Sequence, residues 1–247
     1  YTFKILIYMK FEINKTKFEL AVNKLVRLTQ KQLTLPVLSC VYLLLSKEGN
    51  LILKSTNLDL GMEIEIKVKS IEPGVVAIPG SVLLNTLSNI KDEFINIELI
   101  NQNINIKSSN NSFLIKCLPY EDFPSIPILK SDTVIKLPTG EFLNGLRSVW
   151  YSASVSFVKP ELSSVYFYKN DDYLYFVATD SFRLAEKKIK VKNIPEISKI
   201  LIPYKSISDI LRVLDTFSDN VTISFNRNQL SIYGKGIYFT TRLIDGS

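Results

Sequence analysis

Three adjacent carboxylate pairs, Asp92-Glu93, Glu121-Asp122 and Asp171-Asp172, have the spacing that metal binding or acid–base chemistry could use. Each falls in a stretch of turn or linker character, where solvated acids are ordinary. The sequence contains no histidine, which removes the commonest general base and zinc ligand. A Cys-His nucleophile pair is therefore excluded. Cys40 and Cys117 each sit in an apolar run, the pattern of buried free thiols in a reducing compartment. No glycine-rich phosphate loop is present. The residues point to a non-catalytic protein with no cofactor and no metal.

Two other sets of residues could carry function. The first is Val177-Ala-Thr-Asp-Ser-Phe-Arg-Leu-Ala185. Thr179-Asp180-Ser181 is turn chemistry, because short polar side chains hydrogen-bond their own backbone, and the turn sets an arginine between apolar residues. The second is a series of cations, Lys15, Lys17, Lys24, Arg27, Arg147, Lys205 and Arg212, in or beside expected helices. With a net charge of +6, they permit a polyanionic partner reached through diffuse attraction. Singly, each is also what the solvated face of a helix looks like.

The elements that must position these groups follow a repeat. Asn14 caps a helix from Lys15 to about Thr29, with Phe18, Ala21, Val22, Leu25 and Val26 as its apolar stripe. Pro79-Gly80 opens a second helix carrying Val82, Leu83, Leu87 and Ile90. Pro138-Thr139 opens a third, with Phe142, Leu143, Leu146, Val149 and Trp150. A fourth follows Pro203, with a capping-box-like Ser206 and Asp209 and the stripe Ile207, Ile210, Leu211 and Leu214. Alternating strand-like runs fill the space between. Pro79 and Pro203 are 124 residues apart, Thr56 and Thr179 are 123 apart, and Leu118 and Leu243 are 125 apart. The pattern is two tandem domains of about 124 residues, 9–132 and 133–247, each with two helices and several strands. Runs of strands with few helices favour an α+β class with antiparallel sheets.

Hydrophobic residues make up 46% of the 247 and charged residues 22%, as in a folded soluble protein. No apolar run approaches the roughly 18 residues that a membrane span needs, and a cytoplasmic location is expected. Residues 1–8 lack a signal-peptide pattern, and Met9 reads as a natural start, leaving 1–8 as an upstream or non-native extension. The first unit closes with Leu118-Pro-Tyr-Glu-Asp-Phe-Pro124, whereas the second stops at Leu243-Ile-Asp-Gly-Ser247. A further domain downstream is expected on that ground.

Several dispersed segments together resemble the bacterial β sliding clamp family, the processivity subunit of DNA polymerase III. Ala178-Thr-Asp-Ser-Phe-Arg-Leu-Ala185 is similar to its A-T-D-G/S-x-R-L-A segment. Leu33-Thr-Leu-Pro-Val-Leu38, Ser55-Thr-Asn-Leu-Asp59, Leu118 to Pro124, Ile202-Pro203 and Leu243-Ile-Asp-Gly246 have counterparts in the same order. The resemblance spans residues 9–247 and implies DNA-clamp (processivity-fold) domains, of which this chain would supply the first two, the third being absent. It implies a homodimeric ring of full-length subunits around double-stranded DNA, touching the backbone without base readout, and a monomeric state for this chain alone. Diffuse phosphate attraction suits a ring that must slide. Lys15, Lys17, Lys24, Arg27, Arg147, Lys205 and Arg212 would then face DNA, with Gln32 in a loop where the family often has a basic residue. The resemblance also implies a pocket in the second domain for short peptide motifs of the replicative polymerase, the clamp loader and repair proteins. Its residues here would be Lys159, Leu162, Thr179, Ser181, Phe182, Arg183 and Leu184. Phe182 stands where histidine is frequent, and Ser181 where glycine is. A β-rich ligand-binding or interaction module unrelated to DNA is the rival; it predicts neither the repeated helix openings nor the basic helices.

Overall fold

The computed structural model describes residues 9–29, 35–129, 133–191, 194–215 and 219–244. The chain divides into two compact units, Tyr1–Ile126 and Pro127–Ser247. This division falls earlier than the 132/133 position read from the sequence. The Tyr238 hydroxyl explains it, donating to the Pro127 carbonyl and accepting from the Leu129 amide, both at 3.0 Å. The end of the proline-rich connection is thereby tied to the second unit.

In the first unit β1 (Lys10–Asn14) runs into α1 (Lys15–Val26), followed by β2 (Cys40–Leu45), β3 (Asn50–Thr56), β4 (Leu60–Lys67), β5 (Lys69–Glu72) and β6 (Gly74–Pro79). Then come α2 (Gly80–Ser88), β7 (Phe94–Ile100), β8 (Asn103–Lys107) and β9 (Ser112–Lys116). One antiparallel sheet has the order β5-β1-β7-β8-β9, and a second run of strands the order β4-β3-β2-β6. Asn14 is an N-cap, its side-chain oxygen accepting from the Lys17 amide at 3.1 Å. Phe18, Ala21, Val22 and Leu25 are buried along α1, and Phe18 meets Phe11 of β1 edge-on at 6.4 Å. On α2, Leu83 and Leu87 are buried but Val82 is exposed, so the stripe expected there is narrower than the sequence suggested. α1 packs against α2.

The second unit repeats the plan. β10 (Val134–Pro138) leads into α3 (Thr139–Val149), then β11 (Ser164–Asn170), β12 (Tyr173–Thr179), β13 (Leu184–Lys190) and β14 (Ile200–Pro203). α4 (Tyr204–Leu214), β15 (Asn220–Phe225), β16 (Gln229–Gly234) and β17 (Ile237–Arg242) complete it. Within this unit the antiparallel orders are β10-β15-β16-β17 and β13-β12-β11-β14. Each strand has its counterpart at the same place in the first unit, β5 being the addition there. The core is aromatic: Phe167 lies 4.9 Å from Phe176, and Phe142 lies within 6.2 Å of both. α3 packs on α4 and on β12 and β13. The capping-box reading of Ser206 is corrected, because α4 starts at Tyr204 with Pro203 as N-cap. Ser206 is instead buried within the helix, sharing a 2.7 Å hydrogen bond with Thr241. No helix among the described residues is long and apolar enough to cross a membrane.

Candidate partner-binding surface and basic helices

The turn at 179–183 is built twice in this chain. In the second unit the Thr179 hydroxyl donates to the Arg183 carbonyl and accepts from the Ser181 amide. The Asp180 carboxylate accepts from the Phe182 and Arg183 amides at 3.0 and 2.9 Å. In the first unit Thr56 does the same with Leu60 and Leu58, and Asn57 with Asp59 and Leu60. A backbone bond from residue 57 or 180 to the carbonyl three positions on closes each loop. Both turns place a non-glycine residue at positive φ, 78° at Leu58 and at Ser181. Only a turn fixed by several hydrogen bonds holds such residues there.

What the shared skeleton presents differs. Leu60 of the first turn is buried, whereas its counterpart Arg183 is exposed. The Arg183 guanidinium is held by Asp180 through Nε–Oδ2 at 3.0 Å. The amides of Arg183 and Phe182, and then the Arg183 charge, keep the Asp180 carboxyl below its ordinary value. Phe182 is 99% exposed and Leu184, at the start of β13, is 66% exposed. Phe182 and Arg183 belong to the turn, and β13 begins only at Leu184. Two exposed apolar residues flanking an oriented arginine form a surface that burial on a partner would stabilise.

Lys159-Pro-Glu-Leu162 forms a second turn. The Lys159 carbonyl accepts from the amides of Leu162 and Ser163 at 3.1 and 3.3 Å. Leu162 is half-buried and Lys159 exposed. The Leu162 carbonyl accepts from the Ser154 amide at 2.8 Å, which closes a loop whose tip exposes Val155, Phe157 and Val158. These three were not read from the sequence as surface. The available signal was an apolar run between a helix and Pro160 with no partner strand.

The basic residues do not act as one set. On α1, at about 100° per residue, Lys17 and Lys24 fall together at one edge of the buried Phe18–Leu25 face, and Arg27 falls further round, away from it. Lys15 points elsewhere and pairs with Glu19 at 2.7 Å. Lys17, Arg27 and Arg212 are exposed, with no ion pair among the described residues. Arg147 of α3 pairs with Asp215 at 2.6 Å, so its charge is offset locally. Lys205 stands 4.3 Å from the centre of the Phe157 ring. Gln32 lies outside the described residues. Of the carboxylate pairs, Asp92 is engaged by Ser109, and Asp171 and Asp172 occupy the β11–β12 turn. No group of three potential metal ligands occurs among the described residues. Burial raises both thiols to about 11, the behaviour of structural cysteines.

Two copies of one α+β unit, each pairing two helices with antiparallel sheets, define the clamp class of processivity folds. Family models for the N-terminal and central domains of the DNA polymerase III beta subunit match residues 9–127 and 136–247. A beta sliding clamp of Buchnera aphidicola is 30% identical over 241 residues, covering 96% of this chain and 65% of that protein. One from Bacillus subtilis is 27% identical over 250 residues. A crystal structure of the Bacillus subtilis DNA polymerase sliding clamp superposes with a TM-score of 0.91 at 26% identity, covering 97% of this chain and 66% of that one. A Streptococcus pneumoniae DNA polymerase III beta chain gives the same TM-score and identity. The chain belongs to the bacterial DNA polymerase III beta subunit, or β sliding clamp, family. It spans about 65% of the length of the curated relatives it matches.

Proposed function

We propose that this chain supplies two domains of a bacterial sliding clamp, a non-catalytic processivity factor that encircles duplex DNA in the cytoplasm and tethers replication proteins. The full-length gene product closes as a homodimeric ring and touches the DNA backbone through Lys17, Lys24, Arg27 and Arg212, with Lys15, Arg147 and Gln32 as weaker members. Non-specific cationic contact fits a ring that slides, since each phosphate contact releases counterions without reading sequence.

The second unit binds short peptides of polymerase, clamp loader and repair proteins at Lys159, Leu162, Thr179, Ser181, Phe182, Arg183 and Leu184. One observation carries this reading: the Thr56 and Thr179 turns share a hydrogen-bond skeleton, yet only the second exposes Phe182-Arg183-Leu184. Folding requires the skeleton, so the exposed triplet is an addition that folding does not explain. Titration of a labelled Gln-Leu-x-Leu-Phe-type peptide into the full-length gene product tests it. Arg183→Ala and Leu184→Ala each weaken binding by about tenfold on this reading. Unchanged isotherms for both variants reject the pocket.

A further inference from the structure

Lys205 opens α4 and falls among the cations that the resemblance aims at DNA, but its surroundings belong to another structure. Its Nζ is 4.3 Å from the centre of the Phe157 ring, the range in which an ammonium is attracted to an aromatic face. Two neighbouring contacts tie the same helix start to the same segment. Tyr204 stacks on Trp150, with centroids 5.2 Å apart and planes 27° from parallel. The Tyr204 amide donates to the Ser163 carbonyl at 2.9 Å. The first turn of α4 thus holds the 150–163 segment at its beginning, its tip and its end. That segment is closed at Leu162 by the Ser154 amide, so the tip and Leu162 move as one piece.

We infer that Lys205 is a positioning residue for the partner surface and not a DNA contact: its ammonium over Phe157 orients the exposed Val155–Val158 tip beside Leu162 for an apolar side chain of the bound peptide. This rests on the peptide-pocket reading above. Of the three α4 contacts only the cation reaches the tip, since the other two hold the loop's ends. Within the loop, the Ser154 hydroxyl accepts from the Ser156 amide at 3.1 Å and donates to its carbonyl at 3.4 Å, which leaves the Phe157 and Val158 side chains to the cation. Phe157 is 51% exposed and Val158 87%, so packing alone fixes the tip weakly. A cation–π contact at an exposed site is worth about a two- to fivefold change in an equilibrium. Arginine keeps the contact, since its guanidinium also stacks on aromatic faces.

The test uses the full-length gene product with Lys205→Gln, Lys205→Arg, Phe157→Leu and Arg212→Gln. Two readouts are taken: peptide affinity, and backbone amide exchange at Val155–Val158 without peptide. Duplex-oligonucleotide affinity against salt serves as the DNA control. Lys205→Gln and Phe157→Leu are expected to weaken the peptide by about two- to fivefold and to speed tip exchange by a similar factor. Their double variant is expected to be no worse than either, and Lys205→Arg to match the wild type. The salt slope should fall in Arg212→Gln and stay unchanged in Lys205→Gln. Unchanged tip exchange in Lys205→Gln overturns the inference, and so does a reduced salt slope with an unchanged peptide isotherm. If Arg183→Ala and Leu184→Ala leave peptide binding intact, the pocket reading itself fails, and tip exchange still decides whether Lys205 orients the loop.

Discussion

Replacing Gly145 by alanine sets two physical effects against each other, and the structure decides the sign. Gly145 lies inside α3, where alanine is favoured over glycine by about 1 kcal/mol. A Cβ there would stand 2.4 Å from Phe176 Cε2, 2.6 Å from Cζ and 2.7 Å from Cδ2. Ordinary contact begins near 3.4 Å, so the ring must move by close to an ångström. Phe176 is fully buried and fenced by Phe167 at 4.9 Å and Phe142 at 6.0 Å. Overpacking of such a core costs about 1–3 kcal/mol, and a fenced ring places this case at the upper end. The net expectation is a loss of about 2 kcal/mol, or about 4–8 °C in Tm for a chain of this size. Phe176 lies on β12, three residues before the Thr179 turn. Urea titration followed by circular dichroism measures the change, and the smaller ring-free side chain in Gly145→Ala/Phe176→Leu should recover part of it. A Gly145→Ala variant as stable as the wild type, or more so, refutes the packing argument.

Other outcomes follow from the same geometry. Asn14→Ala removes the oxygen that accepts from the Lys17 amide and should lower stability by about 1 kcal/mol in chemical denaturation. The Asp180 carboxyl is depressed in the folded state, so its contribution is complete above its unfolded pKa, near 4, and is lost as pH falls through the lower folded value. Amide shifts of Phe182 and Arg183 followed by NMR should therefore titrate in that window and stay flat in Asp180→Asn. With both thiols near 11, alkylation of Cys40 and Cys117 at pH 8 should run about 100-fold slower than for an unfolded peptide. Mass spectrometry after timed iodoacetamide exposure reads this directly. Lys17→Ala and Arg27→Ala should each lower the salt slope of duplex binding by about 0.9 if each neutralises one phosphate.

The parts of the fold governed by local chemistry were readable in the sequence. Asn14 caps α1 as its side chain dictates, and Pro79 and Pro203 each precede a helix at matching places in the two units. The turn at Thr179-Asp180 was recognisable because threonine and aspartate bond to their own backbone. What the sequence hid depends on partners far along the chain. Ser206 looks like a cap until Thr241 is found beside it, 35 residues away. Arg147 looks like a free cation until Asp215 is found at 2.6 Å, 68 residues away. Lys205 belongs with Phe157 because α4 packs back on the loop that precedes β11. Val82 fits a helical stripe by spacing, yet of that stripe only Leu83, Leu87 and Ile90 are buried, α1 being the main neighbour of α2. Phe182 continues the alternation of a strand, and only the hydrogen bonds of the Asp180 carboxylate show it to be a turn.

The central claim is topological, and retention on DNA tests it most directly. The full-length gene product is loaded onto a nicked circular plasmid with its clamp loader and ATP, then passed through gel filtration in high salt. A sliding ring predicts co-elution with the circle and loss after a single double-strand cut, because the ends release it while ionic contacts are screened. Equal retention on circular and linear DNA, or retention on neither, contradicts it.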